Sequence, residues 1–304
     1  MERKRIYLSS PTMHGEEQAF VQSAFDTNWV APLGPNVDAF EKEMGDYIGG
    51  GYAAALSAGT AAIHLAVILA GVKEGDVVFA QSLTFAASVN PACYEKAKPV
   101  FIDSEPDTWN MDPVALEKAF EKYPHPAAVI AVHLYGTPSK IDRIRDICKK
   151  HQVPLIEDAA EALGSSFKGQ KLGTFGDYGI LSFNGNKIIT TGAGGTVVSN
   201  HADWAEHAKH LSTQAKADML QFLHDEVGYN YRMTNVQACL GIAQLERLEG
   251  FIAHKKALYD RYVAALDGVK GLRILPFREE ECRSNHWFFS LYLKDSGLDR
   301  DTVI

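Results

Sequence analysis

Short apolar runs alternate with helical patterns between residues 52 and 199, and this alternation constrains the fold more than any other feature of the sequence. It is typical of α/β domains, in which helices connect neighbouring strands. Several runs are apolar throughout, as expected of strands buried on both faces of a sheet. We predict seven strands, at Tyr52–Leu56, Val77–Gln81, Pro99–Asp103, Ala127–Leu134, Pro154–Asp158, Tyr178–Phe183 and Gly195–Ser199. The predicted fold class is therefore α/β, with a mostly parallel seven-stranded sheet.

Helical patterns fill most of the intervals between these strands. The clearest predict helices at Thr60–Ala70, Phe85–Lys96, Pro113–Lys122 and Lys140–His151. The interval from Phe167 to Asp177 is too rich in glycine for a helix. Because so short a connection favours a direct link between two strands over a crossover, we expect the sheet to be mixed.

The sequence predicts three regions of unequal size. Residues 1–36 are expected to form an N-terminal arm and turn, residues 37–245 a large domain, and residues 246–304 a smaller α/β domain. The elements expected in and next to the smaller domain are a long helix at Asn235–Leu266, strands at Leu272–Pro276 and Trp287–Leu293, and a helix starting at Asp299. Because the sequence stops at Ile304 just after a strand, we expect this domain to be incomplete.

Charge and cysteine usage weigh against several classes of function. The net charge of −8 comes from interspersed acids and bases, so no basic face for nucleic acid is expected. The first residues lack the apolar run of a signal peptide or a membrane span, which predicts a cytoplasmic protein without membrane contact. Cys93, Cys148, Cys239 and Cys282 show no metal-ligand spacing, so we expect free thiols and no metal site.

Three segments near the ends of predicted strands carry groups suited to chemistry. The turn Ser57–Ala62 opens a helix and leaves backbone N–H groups free for an anion, although ordinary βα units contain similar turns. Asp158 ends a buried strand where α/β proteins bind ligands, and its alternative role is to cap a following helix. Lys187 lies just past another buried strand, and its alternative is a solvated loop position.

These three segments together are more informative than any one of them. We expect all three to fall at one edge of the sheet, where strands of an α/β domain end. Pyridoxal phosphate needs such a set, namely donors for its phosphate, a carboxylate that keeps its ring nitrogen protonated, and an amine for a Schiff base. We therefore predict a pyridoxal phosphate site in which Lys187 holds the cofactor and Asp158 pairs with the ring nitrogen.

The motifs around these residues resemble those of one family. They are Ser57–Ala62 (SAGTAA), Glu157–Gly164 (EDAAEALG), Ser182–Lys187 (SFNGNK), Gly192–Gly195 (GAGG) and Tyr229–Met233 (YNYRM). In these motifs the chain is similar to the DegT/DnrJ/EryC1/StrS sugar aminotransferases, and the resemblance covers nearly its whole length. It implies a fold-type I, aspartate-aminotransferase-like structure and a pyridoxal-phosphate-dependent aminotransferase.

The resemblance also implies roles for individual residues. The implied cofactor contacts are Gly59, Thr60 and Ser182 to the phosphate, Phe85 stacked on the ring, and Glu161 near the ring hydroxyl. Asn230 is implied to reach the phosphate of the neighbouring subunit's cofactor, which means a homodimer with shared active sites. Without the resemblance, Phe85 could equally be a core residue and Asn230 a turn residue.

Two segments narrow the resemblance to a subfamily. Asn28–Pro35 (NWVAPLGP) and Ser182–Thr191 (SFNGNKIITT) are more similar to the bacillosamine and legionaminic-acid pathway enzymes than to perosamine or desosamine enzymes. Those enzymes transfer an amino group from L-glutamate to C4 of a UDP-linked 4-keto-6-deoxy-N-acetylhexosamine. Trp29 and Asn184 would then lie near the sugar. Arg232 would neutralise phosphate, with a structural ion pair as its alternative.

Other functions are compatible with the same sequence. The substrate could be another nucleotide-linked sugar, such as a GDP- or dTDP-linked 4-keto or 3-keto sugar. A sugar 3-dehydratase of this family would carry His in place of the Schiff-base lysine, which Lys187 argues against. A catalytically inactive binding or regulatory protein is the alternative from a different class. A plain Rossmann nucleotide-binding protein is disfavoured because no GxGxxG motif follows the first strand.

Overall fold

The structure is a computed structural model that describes residues 6–218, 220–275, 277, 280–293 and 297–303. Its α-helices are α1 (Glu17–Asp26), α2 (Pro35–Tyr47), α3 (Gly59–Leu69), α4 (Asn90–Tyr94), α5 (Pro113–Lys122), α6 (Ile141–His151), α7 (Ala202–Ser212), α8 (Asn235–Leu266) and α9 (Arg300–Val303). Single 3₁₀ turns lie at Ala86–Ser88 and Leu134–Gly136. Two predicted ends, Pro276 and Ile304, lie outside the described residues.

The strands form one large sheet and three small ones. In chain order they are β1 (Tyr52–Leu56), β2 (Val77–Gln81), β3 (Lys98–Ile102), β4 (Ala128–Val132), β5 (Leu155–Asp158), β6 (Ser166–Phe167), β7 (Gln170–Lys171), β8 (Tyr178–Ser182), β9 (Gly195–Ser199), β10 (Lys216–Asp218), β11 (Leu223–His224), β12 (Leu272–Ile274), β13 (Cys282–Arg283) and β14 (Leu291–Leu293). Each of the seven strands predicted between residues 52 and 199 is present, with ends that agree to within two residues.

The large sheet has the order β1-β9-β8-β5-β4-β2-β3. The pairs β2–β3, β2–β4, β4–β5 and β5–β8 are parallel, whereas β9 is antiparallel to both of its neighbours, β8 and β1. Only β9 therefore runs against the other strands, and the carboxyl ends of the remaining six lie at one edge. This confirms the predicted mostly parallel α/β sheet.

The glycine-rich connection between β5 and β8 differs from the prediction. Residues 159–177 contain no helix, as expected, but β5 and β8 are parallel, so the mixed character of the sheet comes from β9 instead. Glu157 holds the connection in place. Its fully buried carboxylate accepts the backbone N–H groups of Phe175 and Gly176, both at 2.9 Å, and that of Gly173. The connection between these parallel strands thus contains the short strands β6 and β7 in place of the usual crossover helix, and Glu157 fixes its last residues.

Three further predictions differ in detail from the structure. The helix predicted at Phe85–Lys96 is a 3₁₀ turn followed by the short helix α4, because Pro91 is accommodated in the first turn of a helix but not in its interior. The expected N-terminal arm contains helix α1. The strand predicted at Trp287–Leu293 is reduced to β14, since Trp287 turns toward the large sheet.

The strands after residue 266 lie in two places, one next to the end of α8 and the other next to the β6–β7 hairpin. Strands β12 and β14 form an antiparallel pair next to the end of α8. Strand β13 instead extends the β6–β7 hairpin, pairing Cys282 with Phe167 and Arg283 with Ser166. The hairpin belongs to the connection between β5 and β8, so residues 282–287 lie against the edge of the large sheet.

The core consists of two apolar clusters, one on each face of the large sheet. One contains side chains of α2, α5, α6 and α8, and the other side chains of α3 and α7. Successive residues of β1 alternate between the clusters, as a pleated strand requires. The molecule is thus a sheet between two helical layers. Among the described residues, no helix is long and apolar enough to cross a membrane.

Candidate active site

A cavity of about 320 Å³ lies at the edge of the large sheet where six of its strands end. It is lined by residues that end or follow β2, β4, β5 and β8 and by the amino end of α3. Ligands of open α/β sheets bind at this edge. The predicted site residues in its lining are Gly59, Thr60, Phe85, Asp158, Glu161, Ser182, Asn184 and Lys187.

The amino end of α3 is suited to bind an anion. The helix starts at Gly59 after the extended residue Ala58, and no side chain caps it. A Cβ on Gly59 would lie 2.9 Å from the Cβ of Ser182, so glycine permits the serine hydroxyl to approach the helix end. Backbone N–H groups of an uncapped helix start, with a hydroxyl beside them, form a favourable phosphate site.

Asp158 lies at the carboxyl end of β5 and is 4% exposed. One carboxylate oxygen accepts the hydroxyl of Ser88 at 2.6 Å, and the other accepts the backbone N–H of Ala160 at 3.1 Å. Ser88 in turn bonds to the hydroxyl of Thr84 at 2.7 Å. No helix follows Asp158 in residues 159–177, so the helix-cap alternative does not apply. Sequence reasoning missed Thr84 and Ser88, which nothing in their local pattern distinguishes from ordinary turn residues.

Lys187 lies in the turn after β8 and is only 13% exposed in its side chain, which excludes a solvated loop position. Its Nζ is 3.3 Å from Oε1 of Glu161. The other oxygen of Glu161 accepts the backbone N–H of Tyr135 at 2.8 Å, and Tyr135 has a left-handed backbone with φ of 57°. Burial raises the pKa of Glu161, and the charge of Asp158 adds to this, while Lys187 and the Tyr135 N–H act in the opposite direction.

Trp287 is the other partner of Lys187, and sequence reasoning missed it. The Nζ of Lys187 lies 4.5 Å from the centre of the indole ring. The indole N–H donates to the backbone carbonyl of Asn186 at 2.7 Å. The two segments are 100 positions apart in the chain, so only the tertiary structure shows the contact.

Phe85 and Asn184 lie in the cavity wall and are exposed. The Phe85 side chain is 73% exposed, so it is not a core residue and its ring is free to cover a ligand. Asn184 precedes Lys187 in the turn, and its carbonyl accepts the Lys187 N–H at 2.9 Å. Both residues are therefore placed to contact a ligand in the cavity.

The remaining predicted residues lie outside the cavity lining. Arg232 is buried, where its guanidinium pairs with Glu41 and donates to the carbonyl of Ala55 at 3.1 Å. It therefore has the ion-pair position that the sequence left as its alternative. Asn230 is exposed, and Trp29 is 45% exposed. Neither residue lines the cavity.

The residues of the cavity fit pyridoxal phosphate. An uncapped helix start with Ser182 beside it matches a phosphate. The buried carboxylate of Asp158 matches a protonated ring nitrogen, and the amine of Lys187 matches an aldehyde. The three groups come from different strand ends and line one cavity of suitable size.

Comparisons with known proteins agree with this fit. EpsN of Bacillus subtilis (strain 168), whose name assigns it to the pyridoxal phosphate-dependent aminotransferases, is 51% identical over 99% of this chain and 78% of its own length. GDP-perosamine synthase of Escherichia coli O157:H7 is 40% identical over 85% of this chain and 71% of its own. The crystal structure of the aminotransferase TlmJ from Streptoalloteichus hindustanus superimposes with a TM-score of 0.91 at 30% identity, covering 98% of this chain and 80% of that one.

The family model of the DegT/DnrJ/EryC1/StrS aminotransferases matches residues 11–304. The resemblance, the fold class and the cofactor predicted from the sequence are thereby confirmed. This chain belongs to the DegT/DnrJ/EryC1/StrS aminotransferase family and is a pyridoxal-phosphate-dependent aminotransferase.

Proposed function

We propose that this aminotransferase acts on a nucleotide-linked sugar, transferring an amino group from L-glutamate to C4 of a UDP-linked 4-keto-6-deoxy-N-acetylhexosamine. One observation carries the proposal for the catalytic site: Lys187, Asp158 and the amino end of α3 line a single cavity. The assignment of the sugar rests on the resemblance of Asn28–Pro35 and Ser182–Thr191 to enzymes of that subfamily.

In this proposal the cavity wall holds the cofactor at two places. The backbone N–H groups of Gly59 and Thr60 would donate to the phosphate, and the hydroxyl of Ser182, which lines the same cavity, would add a third donor. An anion at the start of a helix is stabilised by about 0.3–1 kcal/mol through the helix dipole alone. The exposed ring of Phe85 covers one face of the cofactor ring.

Asp158 and Lys187 are the catalytic residues in this proposal. The bound cofactor supplies an electron sink for the negative charge that forms when the donor loses its α-proton. Asp158 keeps the ring nitrogen protonated, because an opposite charge nearby favours the charged form of its partner. Lys187 would hold the cofactor, and its amine would take the proton from the donor carbon and return it in the second half-reaction. Glu161, 3.3 Å from Nζ, orients the amine.

None of the proposed site residues is assigned to the nucleotide, so the nucleotide is the part of the substrate that the site defines least. Asn184 is exposed in the cavity wall and would bond to the sugar in this proposal. Trp29 does not line the cavity and would contact only a part of the substrate that extends beyond it. A GDP-linked 4-keto sugar is the second candidate, since the Escherichia coli relative is named a GDP-perosamine synthase.

The experiment that tests the site is reduction of the holoenzyme with borohydride followed by peptide mapping. We expect the label on Lys187, and Lys187→Ala should lose transamination. Lys255→Ala is the matched control, because burial lowers the pKa of Lys255 and makes it a competing amine elsewhere in the chain. A label on Lys255, or full turnover by Lys187→Ala, would contradict the assignment.

A panel of UDP-, GDP- and dTDP-linked 4-keto sugars, each with L-glutamate, tests the substrate. We expect the largest kcat/KM with the UDP-linked N-acetylhexosamine. A larger value with the GDP-linked sugar would favour the second candidate. A cofactor spectrum that does not change on adding glutamate would instead indicate a binding protein.

A further inference from the structure

Trp287 makes two contacts with the turn that contains Lys187, and neither contact is part of the proposed cofactor site. The indole ring faces the ammonium group at 4.5 Å, and the indole N–H fixes the carbonyl of Asn186 at 2.7 Å. The ring is only 3% exposed and does not line the cavity. Trp287 therefore contacts Lys187 from outside the cavity and does not occupy the space where a ligand would bind.

The segment that carries Trp287 is itself attached to the base of the site. The backbone N–H of Trp287 donates to the side-chain oxygen of Asn285 at 2.9 Å. The side-chain amide of Asn285 donates to the carbonyls of Glu161 and Leu163 at 2.9 and 3.0 Å. The same short segment thus holds the backbone of Glu161 and the ammonium of Lys187, the two members of one ion pair.

We propose that Trp287 is a positioning residue for Lys187, whose ring and N–H hold the amine in the orientation needed to attach the cofactor. This inference rests on the proposed function, in which Lys187 is the lysine that forms the covalent link. A cation over an indole face is stabilised most strongly when water is excluded, as it is at this buried ring.

The step that this arrangement serves is the condensation of Lys187 with the aldehyde of pyridoxal phosphate. The ammonium and the aldehyde yield a protonated C=N link and one water, so no further reactant is consumed. The amine must give up a proton before it attacks and regain one as water leaves. The carboxylate of Glu161, 3.3 Å from Nζ, can accept and return that proton.

The test separates covalent attachment from simple binding. Attachment of pyridoxal phosphate to the apoenzyme is followed by stopped-flow absorbance, and affinity for pyridoxine 5′-phosphate, which has no aldehyde, is measured by calorimetry. We expect Trp287→Leu to slow attachment on the order of tenfold, because the amine loses the ring and the N–H that hold it in the orientation for attack. Its affinity for pyridoxine 5′-phosphate should stay within twofold of wild type.

Two further variants complete the test. Trp287→Phe keeps a ring over Nζ but has no N–H, so its attachment rate should lie between those of wild type and Trp287→Leu. Trp204→Leu removes a tryptophan that packs on Tyr178, at the opposite end of β8, and should attach the cofactor at the wild-type rate.

An unchanged rate in Trp287→Leu would overturn the inference. So would an equal loss of attachment and of pyridoxine 5′-phosphate affinity, because this would indicate general damage to the site. A rate in Trp287→Phe no faster than in Trp287→Leu would overturn the role of the ring. Failure of the proposed function is recognised separately, because borohydride would then label a lysine other than Lys187 in the wild-type protein.

Discussion

Glu157 and Asp158 are adjacent at the end of β5, but of the two only Asp158 lines the cavity. Glu157 is fully buried and accepts His133 Nε2–H at 2.9 Å in addition to backbone N–H groups of the β5–β8 connection. The backbone N–H of Ser139 donates to the other ring nitrogen of His133, so that nitrogen accepts and Nε2 carries the hydrogen. Asp158, one residue later, lines the cavity. Glu157 is therefore structural, while Asp158 faces the cavity.

This contrast gives a matched pair of variants. Asp158→Asn should retain most cofactor affinity but slow the glutamate half-reaction on the order of a hundredfold or more, since a preorganised charge is lost from the site. Glu157→Gln should instead lower the free energy of unfolding by about 1–3 kcal/mol, because its amide group cannot accept all of the buried donors. Stopped-flow absorbance and urea unfolding measure the two effects. A wild-type half-reaction in Asp158→Asn would mean that the carboxylate does not act on the cofactor.

We predict that the titration of Glu161 makes the free energy of unfolding depend on pH. Burial raises its pKa above the ordinary value of 4.5, so the folded chain binds this proton more tightly than the unfolded chain does. Its contribution to stability is thus full below the unfolded pKa and is lost as pH rises through the folded pKa. Glu161→Gln does not titrate, and the melting temperature of the apo variant relative to wild type should therefore increase between pH 4 and pH 7.

Glu117→Gln is the control for this prediction. The hydrogen bond from Lys150 lowers the pKa of Glu117, so the pH dependence should have the opposite sign. An offset between Glu161→Gln and wild type that is the same at both pH values would show that burial does not disfavour the charge of Glu161.

Arg232 was predicted to neutralise a phosphate, but in the structure it forms a buried ion pair. It forms a buried pair with Glu41, which also accepts the Ala55 N–H at 2.7 Å. Arg232→Met should lower the free energy of unfolding by about 3–5 kcal/mol, because it leaves a buried carboxylate with fewer partners. Urea unfolding measures this loss. Lys209, 2.6 Å from Glu41, should keep the loss near the lower bound.

A ligand measurement separates the two roles of Arg232. If it only pairs with Glu41, the folded Arg232→Met variant should bind pyridoxine 5′-phosphate with an affinity within twofold of wild type. A tenfold or greater loss of affinity, without loss of stability, would instead support direct contact with a phosphate.

At the scale of elements, the amino end of α3 depends on a single glycine. In Gly59→Ala the new Cβ would lie 2.9 Å from the Cβ of Ser182, so the helix start or β8 must shift. Overpacking of this kind costs about 1–3 kcal/mol, and we expect affinity for pyridoxine 5′-phosphate to fall about tenfold. Calorimetry is the measurement.

Gly250 in α8 supplies the control, because a Cβ there would meet nothing within 4 Å. Gly250→Ala should leave the affinity unchanged and stabilise the chain by about 0.5–1 kcal/mol. If Gly59→Ala binds as well as Gly250→Ala, the close approach of Ser182 is not needed for the phosphate site.

The sequence predicts elements and contacts with unequal success, for physical reasons. Central strands such as β4 were predictable because a strand buried on both faces is apolar throughout, and α8 because its helical pattern is long. Helix α4 was not, since Pro91 divides an otherwise helical pattern. The cavity was predictable because strand ends meet at one edge, whereas Trp287 reaches it across 100 residues without a local pattern.

At the scale of the whole molecule, we propose a homodimer in which Asn230 completes the site of the partner. Asn230 is exposed and lies outside its own cavity, and apolar side chains near it in sequence are exposed too: Leu220 (92%), Phe222 (65%) and Val227 (80%). Several large apolar side chains exposed within one short segment are the kind of feature that an interaction surface would cover. Sedimentation velocity should show a dimer of the 33.4 kDa chain.

Mixed dimers test the sharing of sites. In a dimer of Lys187→Ala with Asn230→Ala, one site has an intact lysine and an intact partner asparagine, while the other lacks both. Random mixing gives half mixed dimers with one intact site of two, so about a quarter of wild-type activity should return. No recovery over the separate variants, or a monomer that binds pyridoxal phosphate tightly, would contradict shared sites.

The position of β1 determines when the cofactor site can form during synthesis. Among the strands of the large sheet, β1 is made first, yet its neighbour within that sheet is β9, which is made last. Leu56 meets Gly195 (195 minus 56, or 139 positions later). At a synthesis rate of roughly 5–20 residues per second, the ribosome needs roughly 7–28 s to cover that distance. Until then Gly195 cannot pack against Ala58, in the turn that we propose binds the phosphate. We therefore expect a nascent chain to gain affinity for the cofactor only after β9 has paired with β1.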